Sequence, residues 1–173
     1  RMCLVPDSDL FSAINKSKAS VVTDKVKEFK SDGILLESGE QITADIIVTA
    51  TGIELNSLND INVTVDRTKI NAHERLTYKG MMLSGVPNFA LSFGYVNASW
   101  TLRADLTCEY VCRLINLMDK KEVTCCAPIE DSSAYGNDDL IDFTSGYVQR
   151  GLHLMPKQGN KAPWKNYQNY LKD

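Results

Sequence analysis

Asn88-Phe89-Ala90-Leu91-Ser92-Phe93-Gly94-Tyr95-Val96-Asn97-Ala98-Ser99-Trp100-Thr101-Leu102-Arg103 opens a stretch, running on to Met118, that reads as strand, turn and helix. An apolar segment stops at Gly94, and a polar turn follows in which Asn97 and Ser99 are candidate N-caps. Leu102, Leu106, Tyr110, Leu114 and Met118 then recur every four residues, which predicts a helix over 100–119, the longest in the chain. A helix start presents backbone N–H groups without intrahelical partners, together with the positive end of the macrodipole. Electron-rich or anionic ligand atoms bind well there, so this junction is the first candidate for a cofactor contact.

Working upstream, residues 19–52 follow a period of two. Val21-Val22, Val26 and Phe29, a Ser31-Asp32-Gly33 turn, Ile34-Leu35-Leu36, and a Glu37-Ser38-Gly39-Glu40 turn predict a three-stranded antiparallel meander. Its last part, Asp45-Ile46-Ile47-Val48-Thr49-Ala50-Thr51-Gly52, is continuously apolar, as a strand buried on both faces of a parallel sheet would be. Ala50, Thr51 and Gly52 close it with little side-chain bulk, and ligands of open α/β sheets bind beyond such strand ends. The expected class is therefore α/β, with the meander, part of a parallel sheet and one long helix.

Composition bounds the rest. The 173 residues, 43% apolar and 24% charged, suffice for a domain with a real core. A net charge of −3 and the lack of a basic stripe argue against nucleic acid as the main partner. No apolar run reaches the roughly 20 residues of a membrane span and no leader opens the chain, so the expectation is a cytoplasmic protein. Arg1 in place of an initial Met suggests a piece of a longer protein. Five cysteines at Cys3, Cys108, Cys112, Cys125 and Cys126 have no framework spacing, and we read them as reduced; Cys108 and Cys112, with Cys125 and Cys126, lack metal or redox spacing and read as buried and inert.

Other polar groups read as structural. Asp7 or Ser8 would cap a short helix carrying Leu10, Phe11 and Ile14; Asp7-Ser8-Asp9 lacks the further ligands of a calcium loop. His73, beside Glu74 and Arg75, reads as a solvated loop residue, and Asp138-Asp139 as a solvated helix cap, with a lid role as the alternative. Trp164, Tyr167 and Tyr170 are expected to hold an irregular tail by packing back onto the body or across another domain of a longer protein. Arg103, one turn into the long helix, reads as facing solvent or pairing with an acidic neighbour.

Taken together, the Ala-Thr-Gly strand end and the Gly94–Leu106 junction resemble the C-terminal third of the class B flavoprotein monooxygenases, above all the Baeyer–Villiger type. The resemblance extends to Arg1-Met2-Cys3-Leu4-Val5-Pro6-Asp7-Ser8-Asp9-Leu10-Phe11, Val86-Pro87-Asn88-Phe89, Tyr147-Val148-Gln149-Arg150 and Pro156-Lys157-Gln158-Gly159. It implies a fragment of a flavoprotein with two dinucleotide-binding domains, which uses FAD, NADPH and O2 to insert one oxygen atom into a ketone, sulfide or amine. Residues 1–52 would end the NADPH-binding region, 53–127 the FAD-binding domain, and 128–173 would form a C-terminal arm. Ala50, Thr51, Gly52, Asn97, Ser99, Trp100, Thr101 and Leu102 become the cofactor-binding candidates, with the helix start at the pyrimidine edge of the isoalloxazine.

The chain also departs from that pattern. It has no Gly-x-Gly-x-x-Gly, so the loops that cradle the two pyrophosphates are absent, and it offers no catalytic residue to name. The expectation is a part inactive alone, prone to oligomerise through surfaces that further domains would cover. A non-catalytic binding or interaction domain related to such an enzyme is the alternative. A disulfide reductase of the wider two-dinucleotide family would need a redox cysteine pair, and the spacing here does not provide one.

Overall fold

The computed structural model describes residues 5–56, 58, 61–131 and 136–173; residues 1–4 of the opening motif, Cys3 among them, lie outside it, as do residues 132–135 of the polar stretch after Pro128. The chain forms two compact units, Arg1–Thr51 and Gly52–Asp173. The first holds α1 (Asp9–Asn15), then β1 (Val26–Lys30), β2 (Gly33–Leu36) and β3 (Gln41–Thr43) in an antiparallel sheet of order β1-β2-β3. Ser8 occupies the N-cap of α1 with φ 56° and makes no side-chain cap bond. The expected cap fails because a capping oxygen reaches the first-turn N–H groups from an extended residue, not a left-handed one.

Turn chemistry fixes the register of this sheet. Gly33 pairs with both Lys30 and Thr43 at φ 152°, and a Cβ there would run into the Ile42 carbonyl. Asp32 accepts from Gln41 Nε2 at 2.9 Å, and the Asp24 carboxylate accepts from the N–H groups of Lys25 at 2.7 Å and Ser38 at 3.1 Å. Hydrogen bonds, led by that of the Ser38 hydroxyl, hold Asp24 below the usual carboxylate pKa.

The parallel sheet expected from the sequence is not formed. Residues 45–52 make no strand, β3 stops at Thr43, and Ile46 and Val48 are 82% and 83% exposed. Among the described residues every sheet is antiparallel, and parallel pairing is confined to the isolated Leu76–Lys157 bridge. A strand buried on both faces needs hydrogen-bonded neighbours and covering helices. No described residue pairs with 45–52, so their apolar character alone does not make a strand. The class is instead α/β with small antiparallel sheets and helices.

The second unit begins with β4 (Thr64–Val65) and β5 (Thr68–Lys69), joined by Asp66 and Arg67 at positive φ, as two-residue hairpin turns require. β6 (Thr77–Tyr78) pairs with β7 (Met82–Leu83), α2 spans Trp100–Lys120, β8 (Asp138–Asp139) pairs with β9 (Lys157–Gln158), and α3 (Gly146–Gly151) lies between them in sequence. Ile70, Ala72, Leu83 and Val86 form one apolar cluster, and Leu140, Ile141, Val148 and Met155 another.

Three further expectations are corrected in this unit. Asp138 and Asp139 cap no helix: they are strand residues, with Asp139 Oδ1 2.6 Å from Lys157 Nζ, a partner too distant in sequence for local pattern to reveal. Cys108, Cys112 and Cys125 are exposed and Cys126 is half-buried; the packed side of α2 carries Arg103 and Thr107, which turns the helix thiols outward. Of the tail aromatics only Trp164 is buried, edge-on to Tyr78 at 5.4 Å and 80°, while Tyr167 and Tyr170 stay exposed. The Tyr110 ring lies tilted at 57° to that of Tyr78 at 6.4 Å, and burial, aided by that neighbour, pushes its pKa up to about 12. No helix among the described residues is long and apolar enough to cross a membrane.

Candidate functional site

The candidate site is the start of α2. Trp100 begins the helix where the sequence places it, with Ser99 at the N-cap in extended conformation, φ −62° and ψ 135°. Ser99 nevertheless makes no side-chain cap bond: its hydroxyl lies 2.7 Å from the Thr101 hydroxyl. Among the described residues no side chain therefore caps the first-turn N–H groups, and Asn97, Ser99, Trp100, Thr101 and Leu102 are all exposed. Uncovered donors and the macrodipole together favour an electron-rich ligand atom by about 0.3–1 kcal/mol when exposed, and up to ~2 kcal/mol when partly buried.

Gly94 sets the approach of the chain to this helix. The Trp100 side chain lies against its backbone, and a Cβ on Gly94 would come within 2.7 Å of Trp100 Cβ and overlap the indole. Phe93 flanks the same indole at 5.4 Å. One face of the junction is thus aromatic and the other consists of bare backbone and hydroxyl groups. Ala50 and Thr51 end the first unit and Gly52 opens the second; all three are exposed, and Gly52 has φ 95° with open space where a Cβ would stand.

Of the two expectations for Arg103, exposure to solvent fails and pairing with an acidic residue is met. Arg103 is 2% exposed, its Nη1 lies 2.9 Å from Asp173 Oδ2, its Nη2 donates to the Lys79 carbonyl, and its guanidinium lies over the Tyr95 ring at 5.4 Å. Tyr95 is itself 1% exposed, and burial pushes its pKa up. The acidic partner lies at the far end of the chain, beyond the reach of helical spacing. This buried cluster, which the sequence left undetected, ties the first turns of α2 to the chain's last residues.

Beside the junction, a cavity of about 720 Å³ is lined by Asn97 and by Asp138, Asp139 and Asp142, with Lys165 as its cation and Phe143 on its apolar side. Lys157 pairs with Asp139 at 2.6 Å and Lys165 lies 4.0 Å from Asp138, which leaves the exposed Asp142 as an excess carboxylate, so among the described residues the lining is acidic and disfavours phosphate. Among the described residues no three His, Cys, Asp or Glu side chains group as a metal site. His73 is exposed, 3.8 Å from Glu74.

Comparison with known proteins gives a consistent picture. The chain is 47% identical over all 173 residues to the FAD-containing monooxygenase EthA of Mycobacterium tuberculosis, covering 35% of that protein. It is 44% identical to the probable FAD-binding monooxygenase AlmA of Acinetobacter baylyi and 42% identical to the putative FAD-containing monooxygenase MymA of M. tuberculosis, again covering the whole chain and 35% of each relative. No family model matches, and no solved structure does. The chain spans about a third of the length of these curated relatives. From end to end, it is similar to part of these FAD-containing monooxygenases.

Proposed function

We propose that these residues are the C-terminal part of an FAD- and NADPH-dependent monooxygenase of the Baeyer–Villiger type, which inserts one oxygen atom from O2 into a ketone, sulfide or amine. The observation that carries this reading is the uncapped, exposed start of α2, set in a chain that is 47% identical to a protein named as an FAD-containing monooxygenase. Bound FAD would supply the redox and oxygen-transfer chemistry. The chain's own part is to present the N–H donors of the first turn of α2 to the ring edge, where they offset negative charge as the ring is reduced. Ser99, Trp100, Thr101 and Leu102, with Asn97 before them, would contact the ring, and Ala50, Thr51 and Gly52 would lie along the chain's return toward it.

These residues fit the ring edge and not the phosphates. The chain lacks Gly-x-Gly-x-x-Gly, and the cavity beside the junction is acidic, so the pyrophosphates of FAD and NADPH would be held by other residues. On this reading residues 1–52 close the NADPH-binding region, 53–127 complete the FAD-binding domain, 128–173 form an arm, and the enzyme works in the cytoplasm. The missing phosphate motif also favours a second reading, a non-catalytic interaction domain of the same ancestry. The two part on one assay of the longest reading frame that contains these 173 residues. Substrate-dependent NADPH consumption with a product one oxygen heavier supports the enzyme; its absence across ketones, sulfides and amines supports the interaction domain.

The 173-residue chain alone would be inactive and would self-associate. Phe11, Phe29, Ile46 and Val48 are 60%, 57%, 82% and 83% exposed, an apolar surface that favours burial against another chain. Sedimentation of the isolated chain should give species larger than a monomer, whereas a single monomeric boundary at micromolar concentration contradicts the expectation.

A further inference from the structure

The tail of the second unit reaches the α2 junction at both of its ends. Val96 N–H, just before the turn, donates to Gln168 Oε1 at 2.9 Å. Arg103, just after the first turn, pairs with Asp173 at 2.9 Å, both side chains being 3% exposed or less. Between these two anchors the tail is closed on itself. Asp173 accepts from the N–H groups of Tyr167 at 2.7 Å and Asn169 at 3.0 Å, and Gln168 N–H donates to Asn166 Oδ1 at 3.1 Å. Asn166, 8% exposed, in turn donates its N–H to Gln158 Oε1 at 2.9 Å on β9.

Ordering this closed turn costs about 1–2 kcal/mol of conformational entropy for each backbone residue, which its contacts to the junction and to β9 help to offset. Its contacts also fall selectively. Among the described residues their hydrogen bonds and ion pair to the junction fall on Val96 and Arg103, the positions on either side of the exposed residues Asn97–Leu102. We propose that residues 166–173 are a positioning brace: Gln168 and Asp173 hold Val96 and Arg103 in place, and so fix the direction in which the first-turn N–H groups of α2 point. Arg103, Asp173 and Gln168 are positioning residues that act through the backbone of the junction. For its effect on FAD, the brace rests on the function proposed above; its effect on the junction itself does not.

The test uses amide hydrogen exchange on the longest reading frame containing the chain, comparing the unaltered protein with Gln168→Ala, Gln168→Glu and Asp173→Asn. Gln168→Ala removes one acceptor from a half-buried side chain and leaves the core intact, so it remains informative even if Asp173→Asn fails to fold. The expected result is exchange about five- to tenfold faster at residues 96–103 in Gln168→Ala, with the β4–β5 hairpin unchanged. Gln168→Glu keeps an acceptor and should restore protection. Unchanged exchange at 96–103, or a uniform rise across the unit, overturns the brace. FAD titration of the same variants separates the two readings. Faster local exchange with an unaltered FAD dissociation constant keeps the brace and refutes the flavin-facing assignment. Faster exchange with several-fold weaker FAD binding supports both.

Discussion

Arg103→Met is expected to lower folding stability by about 3–5 kcal/mol, the loss typical when one partner of a buried ion pair is removed. The guanidinium is 2% exposed and meets the Asp173 carboxylate, the Lys79 carbonyl and the Tyr95 ring at once. Methionine fills much of the same volume, so the loss falls on the stranded groups rather than on a cavity. Asp173 keeps its two backbone donors and would lose its counter-charge, in a place where its side chain is 2% exposed. Urea unfolding monitored by Trp164 fluorescence should show a lower midpoint at an unchanged slope. The double change Arg103→Met with Asp173→Leu should recover part of the loss, because an uncharged pair leaves no buried charge unpaired. A loss below about 1 kcal/mol for the single change would match an exposed pair and contradict the packing described.

Gly33→Ala is the second large effect. Gly33 sits at φ 152° where β2 pairs with β3, and an added Cβ would run into the Ile42 carbonyl and come within 2.9 Å of Thr43 Cα. These are backbone atoms of a paired strand, so relief requires β2 and β3 to part. The expected cost is about 2–4 kcal/mol, combining backbone strain with lost ladder bonds. Gly39 offers the control: its φ is 91° and nothing lies within 4 Å of where a Cβ would stand, so Gly39→Ala should cost only about 1 kcal/mol of conformational strain. Circular dichroism and exchange of the 33–43 amides measure both. Equal effects from the two substitutions would show that close approach at Gly33 does not set the register.

The parts of this molecule that are legible in the sequence are those governed by local rules. The start of α2 at Trp100 follows from the Gly94 break, the polar turn and the four-residue recurrence, and the meander follows from its two turns. What the sequence hides depends on partners far along the chain. Residues 45–52 have the apolar content of a buried strand, but the neighbours that would make one are not among the described residues. Asp138 and Asp139 look like a cap until Lys157 and Gln158 pair with them. Arg103 carries no sign in its own helix that Asp173 will bury it.

The candidate site divides along the same line. Asn97 to Leu102 are contiguous, so one turn presents them together, whereas the brace that flanks them is assembled from Gln168 and Asp173 at the far end of the chain and shows no periodicity to find. The exposure of the cysteines has a related cause: which side of α2 is packed depends on Arg103 and Thr107, two polar residues that hydrophobic periodicity ignores.

The central claim, that the start of α2 is the ring-facing part of a flavin site, is tested most directly by the absorbance spectrum of the longest reading frame containing these residues, purified without added cofactor. The account predicts a yellow protein whose flavin band bleaches on addition of NADPH and returns in air. A colourless protein that takes up no FAD on titration would contradict it.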